Sequence, residues 1–273
     1  MSEIRDFKVA VQMGKINGFR VFKALGERET ISTTVTGEDV TRLNELSGVP
    51  ALPASTTTLP TPADAGEQMT FISEDDADNG AAATGILTLD MHYLNADGVE
   101  QEEIITMNGQ TEVDSDATDI RFINEIHALT VGANGVAEGN IRVYKKGSNT
   151  LVYNMIEAGG NMSLVPHRMV PKGHALFLQG WHATEAKDQR CAFRIRATAR
   201  DGILTPGTFN FMDVAYLKAA ASGELSLTDI IPALSIVKVT GWNVIASAEG
   251  STGWWGYLVE EALVPAALGL IYE

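Results

Sequence analysis

Alternation of apolar and polar positions is the strongest pattern in the chain. In residues 87–93, Leu, Met and Tyr alternate with Thr, Asp and His, as a strand with one buried face requires. Residues 95–98 (NADG) then have the composition of a hairpin turn, and residues 102–107 supply the returning strand. This segment therefore predicts an antiparallel hairpin.

The same kind of pattern recurs along the rest of the chain, with Gly and Asn in the connecting loops. No segment has a sustained helical period. We predict an all-β fold, an antiparallel β-sandwich or jelly roll. The further strands are expected at residues 122–131, 141–144, 151–156, 175–181, 191–199, 236–244 and 257–259.

The pattern also divides the chain. Residues 1–67 predict an extended N-terminal arm ending in a Pro/Thr-rich linker, with one short helix over residues 37–46 from the capping-box spacing of Thr36 and Asp39. Residues 68–261 predict the β domain, with a subdomain break near residue 165 as an open alternative. Residues 262–273 predict an apolar tail.

Charge is distributed unevenly. The chain has 35 acidic and 20 basic residues, and residues 43–120 contain sixteen acids and no Lys or Arg. Such a stretch repels nucleic acid and anionic membranes and attracts cationic surfaces or metal ions. We therefore expect no nucleic-acid partner and no membrane partner. The charged N-terminus and the lack of a long apolar run favour synthesis in a cytoplasm.

One predicted strand carries a row of arginines. Arg190, Arg194, Arg196 and Arg200 share one face, opposite Cys191 and its apolar neighbours. Guanidinium groups in a row repel each other unless carboxylates or an anionic partner face them. Two interpretations stay open: an exposed face paired with acids of adjacent strands, or a subunit interface that meets an acidic partner.

Two apolar features near the C-terminus are further interface candidates. Trp254 and Trp255 are adjacent, so on a strand at most one lies in the core and the other meets solvent or a partner. A sugar-stacking platform that includes Trp181 and Trp242 is the alternative. The tail could pack on its own domain or dock into a neighbour, through Leu263, Val264, Leu268 and Leu270.

Catalytic and metal-binding motifs are missing from the sequence. There is no phosphate-binding loop, nucleophile elbow or zinc-protease motif, and the five histidines are spread, so no cofactor or metal site is predicted. Residues 73–80 (SEDDADNG) could offer oxygen ligands to Ca²⁺, but Ala77 breaks the EF-hand spacing, which favours a solvated acidic loop. A carboxylate pair for glycoside hydrolysis is a weaker alternative.

The order of segments resembles uncharacterised structural proteins of tailed bacteriophages, especially podovirus-like ones. The resemblance covers about residues 14–261. It rests on turn and strand signatures, in which Lys172-Gly173 reverses the usual Gly-Lys order. The segments that carry it are GFRVFKALGERETI, SEDDADNGAAATGILTLDMHYLNADGVEQEEIITMNG, VPKGHALFLQGWHA, ATARDGILTPGTFNFMDV, LSLTDI and GYLVEE.

The resemblance implies a virion component without catalytic residues, synthesised in the host bacterial cytoplasm. The function that we expect is a non-enzymatic capsid decoration or cement protein, a homotrimer that contacts the major capsid protein or tail components. The alternatives are a tail-associated fibre anchor or host-glycan adhesin, and a glycan-degrading enzyme.

Overall fold

Antiparallel strands carry the fold in the computed structural model, which describes residues 7–31, 33, 38–41, 65–81, 84–198, 210–218, 222–243 and 248–264. A short helix, α1 (Phe7–Gln12), comes first, and a 3₁₀ turn (Glu261–Leu263) comes last. The strands between them are β1 (Phe19–Ile31), β2 (Glu38–Asp39), β3 (Met69–Ser73), β4 (Ile86–Asn95), β5 (Glu100–Thr106), β6 (Val113–Asp114), β7 (Ile120–Val131), β8 (Ile141–Lys145), β9 (Ser148–Ile156), β10 (Arg168–Met169), β11 (His174–Glu185), β12 (Cys191–Ala197), β13 (Asn210–Leu217), β14 (Ser222–Ile231), β15 (Ile236–Asn243) and β16 (Ala248–Glu260).

Eight of these strands form a jelly roll. One sheet has the order β1-β16-β11-β14, and the facing sheet has the order β10-β15-β12-β13, with β2 added beside β15. Counted along the chain within this unit, the first strand pairs with the last, the second with the seventh, the third with the sixth and the fourth with the fifth. This nested antiparallel pairing is the two-Greek-key order of a jelly roll. The predicted all-β sandwich or jelly-roll fold is confirmed.

The space between the two jelly-roll sheets is filled by one apolar core. Alternate residues of β12, including Phe193 and Ile195, point into it from one sheet, and Trp181 and Trp254 point into it from the other. All four side chains are buried. Burial of large aromatic and branched side chains is the main source of stability in such a sandwich.

A second sandwich, β3 to β9, is inserted between β2 and β10 of the jelly roll. Its sheets have the orders β6-β3-β8-β9 and β5-β4-β7, and they enclose a separate core that includes Phe71, Leu89, Met91 and Ile126. This core ends at Ile156 and the jelly-roll core resumes at Val170; the alternative of a subdomain break near residue 165 stays a prediction.

Asn124 joins the two sandwiches. Its side chain, 2% exposed, accepts a hydrogen bond from the Met169 backbone N–H (2.8 Å) and donates one to the Met169 carbonyl (3.1 Å). Leu94, Phe122 and Met169 form a small apolar cluster beside it. Because a buried amide needs partners for both its oxygen and its nitrogen, this reciprocal pair fixes β7 against β10.

The prediction that residues 1–67 form an arm is wrong for β1. This strand pairs along its length with β16, from Phe19 opposite Val259 to Ile31 opposite Ala248. At Gly26, a Cβ atom would lie 2.5 Å from the Pro166 ring and 2.4 Å from the Val40 carbonyl oxygen. The inward residues are partly small, so the segment lacks the strong apolar alternation by which strands are recognised.

The remaining boundary predictions have mixed outcomes. Glu38–Asp39 is a strand that pairs with β15, so the prediction of a helix over residues 37–46 is wrong at these two residues. Pairing with an open strand edge outweighs the local capping signal. The linker and the end of the tail, residues 42–64 and 265–273, lie outside the described residues. The described helices are too short to cross a bilayer.

Candidate functional site

An aromatic and cationic surface lies at the edge of the jelly-roll sheet that ends in β13. Trp242 on β15 and Tyr216 on β13 are both opposite Ala192 of the central strand β12. Because Ala192 is small, the two rings meet across it in an edge-to-face contact, 6.1 Å between centroids. The Arg194 guanidinium carbon lies 3.6 Å from the centre of the Trp242 ring, a cation–π geometry.

We call this surface the edge cluster (Arg194, Val214, Tyr216 and Trp242); Val214 and Tyr216 are open to solvent, and Trp242, 8% exposed, lies beneath Arg194. Tyr216 is 60% exposed and Val214 is 39% exposed, two residues apart on the same face of β13. In the described part of the chain, β13 pairs only with β12. Trp, Tyr and Arg are the residues that dominate binding energy at protein interfaces, and an unpaired strand edge can accept a further strand. The edge cluster is therefore the best candidate for a contact surface.

The row of arginines does not form one surface. Arg190 is exposed and Arg194 belongs to the edge cluster. Arg196 is fully buried and its Nε donates to the Thr240 hydroxyl at 2.8 Å, so the prediction that it lies at an interface is wrong. Burial lowers the pKa of Arg196 to about 10. Arg200 lies outside the described residues.

Arg196 belongs to a buried polar group that the sequence analysis did not identify. Lys238 Nζ lies 2.9 Å from Asp39 Oδ1, and both side chains are fully buried. His167 Nε2 lies 3.9 Å from the other oxygen of Asp39. Burial lowers the pKa of Lys238, although Asp39 opposes this shift, and burial lowers the pKa of His167 to about 4. Removing one partner from a buried group of charges strongly destabilises the fold. We therefore assign this group a structural role.

The tryptophan pair behaves as strand geometry requires. Trp254 is 1% exposed, packs edge-to-face on Phe22 and donates from Nε1 to the Pro166 carbonyl at 2.9 Å, so its assignment to an interface is wrong. Trp255 faces the other side, partly exposed beside His182, with 6.4 Å between ring centroids. Trp255 stays a candidate contact residue.

Only the beginning of the C-terminal tail is described. Leu263 is 48% exposed and Val264 is half-buried, and a Leu263 methyl lies against Gly18. The tail therefore starts on the jelly-roll surface next to the beginning of β1. Leu268 and Leu270, the other two predicted contact residues, lie outside the described residues.

The acidic loop at residues 73–80 is organised by hydrogen bonds from the protein itself. Asp78 is fully buried and its carboxylate accepts from the backbone N–H groups of Ile86, Glu138 and Gly139 and from the Ser73 hydroxyl. These four donors occupy the oxygens that a Ca²⁺ ion would need. The geometry favours a structural loop.

A cleft of about 450 Å³ separates the two sandwiches on one side. Arg20 and Glu100 form an ion pair across it, and Arg168 approaches Glu125 at 3.6 Å. Its other lining residues are Gln12, Val21, Phe22, Lys23, His92 and Asn124. Charges of both signs line the cleft and pair with each other, which suits a junction between two units.

One cluster was missed by sequence reasoning. Asp90 and His92 on β4 and His127 on β7 place three possible metal-ligand atoms within 4.8 Å of one another. Asp90 and His127 are far apart in the sequence and become neighbours only through the pairing of β4 with β7. The alternation of β4 was the available signal, because it places Asp90 and His92 on one face.

Comparison with known proteins gives weak matches. No protein-family model and no curated protein matches the chain. A chain in the structure of the infectious bursal disease virus Gx strain is 11% identical, with 91% of this chain and 74% of that chain covered, at a TM-score of 0.26. A chain in the crystal structure of the T13 particle of the same virus is 11% identical, covering 92% of this chain and 71% of that one, at a TM-score of 0.27. These comparisons assign the chain to no family.

Proposed function

We propose that this chain is a non-enzymatic structural protein of a tailed-bacteriophage virion, a capsid decoration or cement protein. The observation that carries the proposal is the jelly-roll strand order. Jelly rolls are the architecture of many viral capsid domains and of lectins. A fold does not fix a function, and the resemblance of the sequence to tailed-phage structural proteins selects the virion among these possibilities.

The edge cluster is the surface through which we expect the protein to bind other virion proteins. Tyr216 supplies exposed apolar area with few rotatable bonds, and Arg194 supplies a charge that is already held against the buried Trp242 ring. Little side-chain entropy is lost when such a surface binds. The mechanism is added burial at the junctions between subunits, which stabilises the shell, and a homotrimer is the arrangement that we favour.

The charge of the inserted sandwich is consistent with an outward position in a particle. It contains thirteen of the sixteen acids of residues 43–120, and no Lys or Arg before Arg121. A surface of this sign avoids nucleic acid, which is packed inside a shell. The acidic block is then an exposed face, and the jelly roll holds the contact surface.

The experiment that tests this proposal is co-sedimentation of the purified full chain with capsids assembled without it. We expect saturable binding by the wild type and about 30-fold weaker binding by Tyr216→Ala, because interface aromatics at such positions contribute about 2 kcal/mol or more. Leu129→Ala is the matched control, because Leu129 is also exposed, 46%, but lies on β7 of the inserted sandwich. Failure of the wild type to bind would contradict the proposal.

A second function is supported by Trp255. This ring is partly exposed on β16 beside His182, and exposed aromatic rings can stack on sugars. A host-glycan adhesin of the tail would bind immobilised glycans through this surface, and Trp255→Ala would abolish that binding. A decoration protein gives no signal on the same glycan array.

A further inference from the structure

The outer face of the three-stranded sheet β5-β4-β7 gathers polar side chains that could bind a metal ion. Asp90 and His92 are two residues apart on β4, so both point away from the core, while Leu89 and Met91 point into it. The pairing of β4 with β7 places His127 directly opposite Asp90. Residues opposite each other in an antiparallel pair have close Cβ atoms. The sheet therefore brings three side chains together.

The two distances from Asp90 to the histidines match those of a tetrahedral metal site. Asp90 Oδ2 lies 3.4 Å from His92 Nε2 and 3.6 Å from His127 Nε2. In a tetrahedron with metal–ligand bonds of about 2.0–2.2 Å, ligand atoms lie about 3.3–3.6 Å apart. The two imidazole rings are stacked, with centroids 5.5 Å apart and planes inclined by 24°. All three ligand atoms lie within 4.8 Å of one another.

The fourth side chain of the cluster orients one of the ligands. Glu102 is opposite His92 on β5, and its Oε1 lies 3.4 Å from His92 Nδ1. A carboxylate that accepts from one imidazole nitrogen leaves the other free to bind metal, and this arrangement is usual around protein-bound zinc. Among the described residues, no group forms a hydrogen bond with the buried Nδ1 of His127, so we expect His127 to be the weaker of the two imidazole ligands.

We propose that Asp90, His92 and His127 form a binding site for a divalent transition metal ion, with Zn²⁺ as the best fit. Two imidazoles and one carboxylate suit Zn²⁺ and exclude the oxygen-only chemistry of Ca²⁺ and Mg²⁺. Three protein ligands leave a fourth position, which water or a side chain of another subunit can fill. The side chains are partly exposed, 19–34%, so an ion can enter from solvent. His92 also lines the cleft between the sandwiches.

The test is a titration of the untagged full chain, stripped with a chelator, with ZnCl₂ followed by calorimetry. We expect one ion per chain in the wild type. His92→Gln and Asp90→Asn should each weaken binding more than about 100-fold, and His127→Gln should weaken it less. Glu102→Gln, which removes only the supporting carboxylate, should weaken it about 10- to 100-fold. With Co²⁺, the wild type should show the strong visible absorption of a four-coordinate ion.

Matched controls separate this site from general binding by surface histidines. His174→Gln removes another partly exposed histidine, on β11 of the jelly roll, and should leave the affinity unchanged. Circular dichroism of each variant without metal shows whether it is folded. If the wild type takes up no ion in a saturable manner, the proposal is wrong. It is also wrong if folded His92→Gln binds as the wild type does, or if His174→Gln removes the binding.

Discussion

Asp78 offers the sharpest test of how the inserted sandwich is held together. Its carboxylate connects three segments: Oδ1 accepts from the backbone N–H groups of Ile86 (2.8 Å) and Glu138 (3.1 Å), and Oδ2 accepts from the Ser73 hydroxyl (2.6 Å) and the Gly139 N–H (3.0 Å). The side chain is fully buried. Asp78→Ala would leave all four donors without this acceptor.

The expected magnitude follows from the number of backbone donors that lose their partner. A buried N–H without an acceptor costs about 1–3 kcal/mol, so three of them cost about 3–9 kcal/mol before any water enters. This is comparable to the whole stability of a domain, about 5–15 kcal/mol. Asp78→Asn keeps one oxygen but turns an amide N–H₂ toward the Gly139 N–H. We therefore expect Asp78→Asn to lower the free energy of unfolding by about 1–3 kcal/mol.

The assay is urea denaturation followed by far-ultraviolet circular dichroism, with hydrogen-exchange mass spectrometry to locate the change. Exchange should increase in β3, at the start of β4 and around Gly139, and should stay unchanged in the core of the jelly roll. Asp76→Asn is the control, because Asp76 is an exposed acid of the same loop and its carboxylate accepts a hydrogen bond from the Gln110 N–H. We expect Asp76→Asn to change the free energy of unfolding by less than about 1 kcal/mol. A loss below about 1 kcal/mol for Asp78→Ala would refute the reasoning.

Three further predictions concern the jelly roll. The pKa of His167 is about 4 in the folded chain and 6.5 ordinarily, so the unfolded chain binds the proton first and stability falls as the pH drops from 6.5 toward 4. Tryptophan fluorescence in urea should show about 2 kcal/mol less stability at pH 5 than at pH 7, and His167→Gln should flatten this dependence; an unchanged pH dependence in that variant would contradict the assignment. Burial raises the pKa of Cys191 to about 12, so its thiol should react with a disulfide reagent only after denaturation; rapid reaction of the native chain would show that β12 is open. Deleting residues 1–31 removes β1, the partner of β16, and should unfold the jelly roll; a truncated chain with native circular dichroism would restore the arm hypothesis.

The sequence predicted the strands whose large apolar residues alternate with polar ones. The hairpin of β4 and β5 and the opposite directions of Trp254 and Trp255 are examples. In both cases the information is local, because the side-chain period of two decides which face a residue occupies. In the described part of the acidic block, eight acids are exposed, five are half-buried, and Asp78 is buried as an acceptor for backbone N–H groups.

Features that depend on distant pairing could not be predicted. The inward positions of β1 include Gly26 and Arg28, which have no apolar signal, and its partner β16 lies at the other end of the described chain. Arg196 has the same strand parity as the partly exposed Arg194, but it is buried near Asp39 and Lys238. The Asp90–His92–His127 cluster depends on the register of β4 with β7. Strand register across long loops is fixed by packing, which a single sequence does not display.

The copy number of the chain in purified virus particles tests the virion assignment most directly. Quantitative mass spectrometry of particles, with the major capsid protein as the internal reference, measures it. A decoration protein that covers the shell in regular positions should be present in amounts comparable to the major capsid protein. Absence from the particle would contradict the assignment, and a few copies per particle would replace the decoration role with the tail-associated alternative.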